Sequence, residues 1–223
     1  MKLLIVDDHM IIRRGLVQIL VGHAAVESIH EAADAPSALQ ELRRNHFDVV
    51  FLDIELGDRD GLDLLRTIRN EFPSTGVIML SVYPESQFGV RAIKSGASAY
   101  LNKGCSPDEL YAALTRVACG GVYITPRVAE LLARNVRRDG AVLPHETLSN
   151  REFQVLKLLA NGRSISEIAQ QLSLSVNTIS TYRARICEKL NLRAAFDIFA
   201  YAAQHHLISI DIHEQICSNA TTP

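Results

Sequence analysis

Tryptophan is absent from this 223-residue chain, and cysteine is scarce. The four cysteines, Cys105, Cys119, Cys187 and Cys217, are scattered with no C-x-x-C pair. That spacing excludes the usual zinc motifs and a disulfide framework, and it fits reduced thiols in a cytoplasmic protein. Long apolar runs are also missing. No stretch approaches the roughly 18 consecutive apolar residues of a spanning helix, so no membrane segment is expected. The N-terminus has one lysine and then strand-like residues that run straight into Asp7-Asp8, without the apolar core and small-residue cleavage site of a signal peptide. A dominant charge of either sign is lacking too, with a net charge of −2. Its distribution is uneven, however. Residues 1–120 hold 12 Lys/Arg against 16 Asp/Glu, while residues 148–207 hold 7 against 4. An acidic first half and a basic second half suggest different partners, and the basic half suits nucleic acid.

What is present in the first 120 residues is alternation. Short apolar runs predict strands near 2–6, 26–30, 48–53, 76–81 and 98–102. Amphipathic segments between them predict helices near 10–21, 35–45, 60–71, 86–95 and 107–119. Five such repeats indicate an α/β doubly wound, five-stranded parallel sheet. Runs such as Val49-Val50-Phe51-Leu52 fit strands covered on both faces. Asp34 before Ala35-Pro36, and Ser106 before Pro107-Asp108-Glu109, read as helix caps with a helix-opening proline. Gly120-Gly121 ends the pattern. A helix from Pro126 to about Asn135 follows, and residues 136–147 read as a linker. From Leu148 the pattern is helical, near 150–161, 165–172, 176–190 and 194–205. The alternation in Ile208–Ile212 is too short for a strand, and the polar end is expected to fray. The expected division is 1–121, a connecting helix and linker at 122–147, a helical domain at 148–208 and a tail at 209–223.

Charged residues fall where strands are predicted to end. Asp7 and Asp8 follow Leu3-Leu4-Ile5-Val6, Asp53 follows Val49-Val50-Phe51-Leu52, and Lys103 follows Ala99-Tyr100-Leu101-Asn102. Ligands of open parallel sheets bind outside the carboxyl ends of the strands. Carboxylates gathered there repel one another unless a cation joins them. A hard divalent ion such as Mg²⁺, or Mn²⁺ in its place, takes carboxylate oxygens and keeps phosphate oxygens and waters as other ligands. The spacing therefore suggests a metal-assisted phosphoryl site. Taken alone, tandem acids after a strand are also a common helix N-cap, here for the helix near Met10.

The set Asp7, Asp8, Asp53, Ser81, Tyr100 and Lys103, in this order and on these elements, resembles the receiver domain of bacterial two-component response regulators, a flavodoxin-like fold. Residues 102–129 are similar to the sugar-phosphate-uptake branch of the NarL/FixJ-type regulators. The resemblance implies that Asp53 accepts a phosphoryl group from a sensor histidine kinase. It further implies that Asp8 binds the metal directly, Asp7 directly or through water, and that Asp53 and the Glu55 backbone carbonyl complete the set. Lys103 would pair with a phosphoryl oxygen, Ser81 would donate to another, and Tyr100 would turn inward as a switch. Glu55 and Tyr83, two residues past Asp53 and Ser81, would influence how quickly the phosphate is lost. Many receivers follow the lysine with proline, whereas here Gly104 follows.

The helical half reads similarly. Ser149 with Glu152, and Ser164 with Glu167, are capping boxes, and Ser175 caps a third helix. Ile179, Ile186 and Leu190 form the buried stripe of that third helix. Asn177, Ser180, Thr181, Arg183, Ala184 and Lys189 are read as its opposite face. Residues 148–208 resemble a LuxR-type helix-turn-helix, an all-α DNA-binding domain. Arg183 is the expected guanine contact, because its fork matches O6 and N7. Ser180, Thr181 and Ala184 occupy base-reading positions, with Thr178 beside them, and Asn177 and Lys189 are expected at phosphates. Ser180 and Tyr182 depart from the lysine and histidine common in the family. The last helix, with Phe196 and Phe199, would supply a dimer surface. The expectation is thus a DNA-binding response regulator that dimerises on phosphorylation and acts on double-stranded DNA, with no membrane partner.

Two rivals are weaker. Acid-rich phosphatases use D-x-D-x-T, and Asp53-Ile54-Glu55-Leu56-Gly57 lacks the second Asp and the Thr, so a turnover enzyme is not expected. A quorum-sensing regulator would share the helical half, but its ligand domain needs an aromatic pocket in place of this acid–lysine set.

Overall fold

Every strand of the main sheet is parallel to its neighbours, and the strands lie side by side in the order Ser28–Ala32, Lys2–Val6, Val49–Asp53, Gly76–Ser81 and Ala99–Asn102. A computed structural model describes residues 1–57, 59–136, 143–172, 174–205 and 207–208. The chain divides into two compact units, Met1–Gly140 and Ala141–Pro223.

In the first unit the order is β1 (Lys2–Val6), α1 (Met10–Val21), β2 (Ser28–Ala32), α2 (Ala35–Arg44) and β3 (Val49–Asp53). A two-residue hairpin pair follows, β4 (Glu55–Leu56) and β5 (Arg59–Asp60). The unit continues with α3 (Gly61–Glu71), β6 (Gly76–Ser81), α4 (Glu85–Lys94), β7 (Ala99–Asn102), α5 (Pro107–Ala118) and α6 (Pro126–Val136). Leu3, Ile5, Val49, Phe51, Ile78, Leu80, Ala99 and Leu101 bury one sheet face against Leu20 of α1 and Leu110, Ala113, Leu114 and Val117 of α5. Leu4, Val50, Leu52 and Met79 alternate with them and are fully buried as well. The two-residue strand period sends them to the opposite face, so the sheet is covered on both sides, as the apolar runs predict. β2 lies two residues later than expected. It is an edge strand in which Ser28, Ile29, His30 and Glu31 are all partly exposed, so no apolar run marks it.

The β4–β5 hairpin was not foreseen, and neither was the placement of the connecting segment. The Tyr123 N–H donates to the Ser98 carbonyl at 2.8 Å, and Tyr123 forms a parallel bridge with Ala99. Helix α6 packs on α4, with Val128 buried. The first part of the expected linker is therefore bound to the sheet unit. Most of the rest, residues 137–142, lies outside the described residues, as does the tail from residue 209.

The second unit holds a 3-10 turn (Pro144–Thr147), α7 (Asn150–Ala160), α8 (Ile165–Gln171), α9 (Val176–Leu190) and α10 (Ala195–Gln204). Both expected capping boxes form, Ser149 with Glu152 and Ser164 with Glu167, and Ser175 accepts the Thr178 N–H. Helix α9 packs against α7 and α8, burying Ile179, Ile186 and Leu190, and α10 closes on α7. Asn191 ends α9 in the left-handed conformation, which asparagine tolerates. Among the described residues, no helix is long and apolar enough to cross a membrane.

Candidate functional site

Strands β1 and β3 are neighbours, and at their carboxyl ends Asp7 and Asp53 are 1% and 3% exposed. Lys103, one residue past β7, reaches both. Its Nζ lies 2.8 Å from Asp53 Oδ2 and 2.7 Å from Asp7 Oδ2. The approach to Asp7 is off the hydrogen-bonding direction, so that buried oxygen has an ionic neighbour and no hydrogen bond. Burial pushes the Asp53 carboxyl up to about 7. Lys103 opposes this, while the Asp7 charge adds to it. Burial alone would lower the Lys103 ammonium, but Asp53 and then Asp7 more than offset it, and the net direction is upward. Two carboxylates share one ammonium here.

Asp8 stands at the rim. Its Oδ2 accepts the Gly57 N–H at 3.1 Å, and its Oδ1 is 2.7 Å from His9 Nδ1. Oxygen or nitrogen atoms of Asp7, Asp8, His9 and Asp53 all lie within 4.8 Å of one another. This donor set is mostly hard oxygen, and it includes the unsatisfied Asp7 oxygen, so it fits a divalent cation. The N-cap alternative for the tandem acids is not what forms. The N-cap of α1 is His9, whose side chain makes no capping bond.

Ser81 ends β6 and is 1% exposed, and its Oγ accepts the Tyr83 N–H at 3.1 Å. Tyr100 is inside at 1% exposure and donates to the Tyr83 carbonyl at 2.9 Å. Burial, reinforced by the Glu85 and Asp53 charges, holds its phenol far above the usual range despite a bond to Ser81. The Tyr83 hydroxyl donates to Glu55 Oε1 at 3.3 Å, which joins the two rim positions singled out by the sequence. The peptides around Gly104 are trans, and Gly104 N–H donates to Asn102 Oδ1 at 2.8 Å.

Around the pocket, sequence reasoning missed two residues. One is His9, whose signal was an imidazole directly after two acids. The other is Gly61, the first residue of α3. A Cβ there would lie 2.0 Å from the Asp53 carbonyl oxygen, so only glycine lets α3 start against the acidic strand end.

On α9, Asn177, Ser180, Thr181, Ala184 and Arg185 are exposed, while Thr178, Tyr182 and Arg183 are half-buried. At about 100° per residue, Arg183 falls about 40° from the middle of the buried stripe. The outward-facing arginine is Arg185, which the sequence reading left out. Lys189 is turned to the domain itself, and its ammonium donates to Glu152 Oε2 at 2.6 Å. Glu152 is 3% exposed. Burial raises its carboxyl, but the Lys189 and Ser149 hydrogen bonds win, and the net direction is downward.

A parallel sheet with a buried acid–lysine cluster at its carboxyl edge, joined to a capped helix-turn-helix, defines a phosphoacceptor regulator class. The family described as response regulator receiver domain matches residues 3–115, and the family of bacterial regulatory proteins of the luxR type matches residues 146–202. The chain is 31% identical over 211 residues to the response regulator UvrY of Escherichia coli, covering 94% of this chain and 97% of that one. It is 30% identical to the response regulator GacA of Pseudomonas aeruginosa, covering 93% and 97%. It is 33% identical to the fimbriae Z protein of Salmonella typhimurium, covering 93% and 98%. Among solved structures, an RcsB–DNA complex matches with a TM-score of 0.57 at 26% identity, covering 91% of this chain and 98% of that one. RcsB from Salmonella enterica bound to a promoter with the phosphomimetic BeF3− matches with a TM-score of 0.59 at 26% identity, covering 92% and 98%.

The chain belongs to the response regulators of the NarL/FixJ type, a receiver domain followed by a LuxR-type helix-turn-helix. It is a transcription regulator and not a turnover enzyme. The three relatives named above do not bear names of the sugar-phosphate-uptake branch.

Proposed function

We propose that Asp53 accepts a phosphoryl group from a phosphohistidine of a sensor kinase, and that this controls dimerisation and DNA binding. The observation that carries the reading is one buried ammonium held between the ends of two neighbouring strands, Nζ to Asp7 and Asp53. An Asp53 oxygen attacks phosphorus, the P–N bond breaks, and the imidazole leaves. A carboxylate is a weak nucleophile, so the protein contributes alignment and neutralisation. Lys103 is placed to follow the added charge from carboxylate to phosphoryl oxygen. Ser81 supports a second oxygen, and Tyr100 transmits the change through Tyr83. Asp7, Asp8, Asp53 and the Glu55 carbonyl would hold Mg²⁺ or Mn²⁺. When bound, the ion offsets the negative charge of the incoming phosphoryl group.

In the helical unit, α9 is the reading helix for double-stranded DNA. The exposed set Asn177, Ser180, Thr181, Ala184 and Arg185 supports this, with Thr178 and Arg183 at the flanks. The RcsB structures on DNA support the assignment by similarity. Helix α10 exposes Phe196 and Phe199, which suits a dimer surface formed on phosphorylation. The site of action is the cytoplasm, where kinase and DNA meet, with no membrane partner.

The test uses acetyl phosphate, Mg²⁺ and the full chain. Native protein gains one phosphoryl mass, dimerises and footprints a promoter, while Asp53→Ala does none of these. If Asp53→Ala dimerises and binds as well as the native chain, control by phosphate is wrong.

A further inference from the structure

Helix α6 is fastened to the sheet unit at two points beside the residues that surround Ser81. At its start, Thr125 Oγ1 donates to Glu85 Oε2 at 2.7 Å and accepts the Val128 N–H at 3.3 Å. Glu85 opens α4 directly after the loop that holds Tyr83. In its first turn, Val128 is 1% exposed against Gly89 of α4. A Cβ on Gly89 would meet Val128 Cγ2 at 3.0 Å, and the same point is 3.9 Å from Tyr100 Cδ1. Val128, Gly89 and the Tyr100 ring thus lie side by side, with Val128 and Tyr100 both within 4 Å of that point. Tyr100 in turn donates to the Tyr83 carbonyl, and Ser81 holds the Tyr83 N–H.

We propose that docked α6 is a latch read by the phosphorylation pocket. Docking of α6 and the inward position of Tyr100 form one state, and a phosphoryl group on Asp53 favours that state. The proposal rests on the phosphoacceptor reading and extends it to the connecting segment. Recruiting the Ser81 hydroxyl to a phosphoryl oxygen fixes the Tyr83 loop, which fixes Glu85 and the floor under Gly89. Coupling of this kind is reciprocal, so loosening the latch must weaken phosphorylation. The consequence is a change of tether. With α6 docked the chain leaves the sheet unit after Val136, and with α6 free it leaves after Tyr123, which is paired with Ser98 and Ala99. A longer flexible tether lowers the effective concentration at which two linked modules meet their targets.

The test uses the full chain and two variants. Gly89→Ala pushes on Val128 while leaving a better helix former in α4. Thr125→Val removes the hydroxyl at nearly constant shape, and Thr125→Ser restores it. In native protein, Mg²⁺ with BeF3− is expected to slow amide exchange over residues 126–136 by about fivefold. Both disruptive variants should need about fivefold more acetyl phosphate for half-maximal phosphorylation by intact mass, and Thr125→Ser should behave as native. If BeF3− protects residues 81–84 but leaves 126–136 unchanged or faster, the latch is wrong and the phosphoacceptor reading stands. Unchanged phosphorylation in both variants also overturns it. If native protein takes up neither BeF3− nor a phosphoryl group, the phosphoacceptor reading falls and the latch falls with it.

Discussion

The two functional regions are built in opposite ways. The acidic pocket assembles Asp7, Asp53, Ser81 and Lys103 from four separate strand ends, and Asp7, Asp53 and Ser81 are each at most 3% exposed. Helix α9, the proposed reading helix, carries its polar residues within one element, mostly exposed, and local caps and a three-residue stripe hold it. Buried charge is costly and correct only as a set, because each ion lacks water to fall back on. Exposed polar residues are individually cheap and adjustable. A pocket of the first kind fixes one chemistry, whereas a face of the second kind allows sequence preference to drift while the fold stays.

The comparison predicts its largest effect at Lys103. Replacing it by Met leaves Asp7 and Asp53 buried without their shared cation, at a cost of about 3–5 kcal/mol. Urea unfolding at pH 8 without divalent ions should show this loss, and it should shrink at pH 5, where Asp53 takes up a proton. An unchanged midpoint would mean that the pocket is open to solvent and unlike the buried cluster described above.

Asp53 itself gives the opposite sign. Its folded carboxyl titrates near 7 against an ordinary 3.8, so the native state binds an extra proton between those values. Stability then falls as pH rises through that window, and the burden is complete above it. Asp53→Asn removes the charge and should stabilise the metal-free receiver at pH 8 on the order of 2 kcal/mol, with little effect below pH 4. Mg²⁺ should stabilise the native chain more than this variant. A flat difference across pH would remove buried charge as the cause.

The strand-end pattern made the pocket legible from sequence because two independent signals agree, an apolar run and the charge that stops it. The five-stranded parallel sheet followed from the same alternation. What escaped detection lacked a local signature. Edge strand β2 is half solvated, and Val26, which drew the expectation two residues early, packs on the core from outside the strand. Gly61 lies inside the expected helix 60–71 with no signal of its own, yet the Asp53 carbonyl demands glycine there. The docking of α6 depends on Gly89 and Glu85, more than thirty residues earlier in the chain. On α9 the expected face was drawn too wide. Arg183 and Lys189 read as polar and therefore outward, but long side chains at the edge of a buried stripe lay their stems along it. Lys189 has a buried acid to meet, which no pattern within its own helix could show.

That correction yields a smaller effect with sharp content. Arg185→Ala should weaken promoter binding by about 1–2 kcal/mol in a footprinting titration, whereas Arg183→Ala should cost less binding and more stability. Running both at two salt concentrations separates base from phosphate contact. Loss of salt slope points to phosphate, and loss of discrimination between promoter and random DNA points to a base edge. If Arg183→Ala is the more severe variant for binding and leaves the melting temperature alone, Arg183 and not Arg185 meets the DNA.

The smallest effect tests whether the helical half stands on local caps. Ser175 Oγ accepts the Thr178 N–H at 3.0 Å at the start of α9. Ser175→Ala should cost about 1 kcal/mol, a drop of about 4–8 °C in the melting of a domain this size. Because the bond is confined to one helix turn, phosphorylation of Asp53 by acetyl phosphate should proceed at the native rate in the same protein. The Lys103 variant, by contrast, should lose both stability and phosphate uptake. A cap mutant that also slowed phosphorylation would mean that the order of α9 is felt in the pocket, and the contrast between a long-range site and a locally built one would no longer hold.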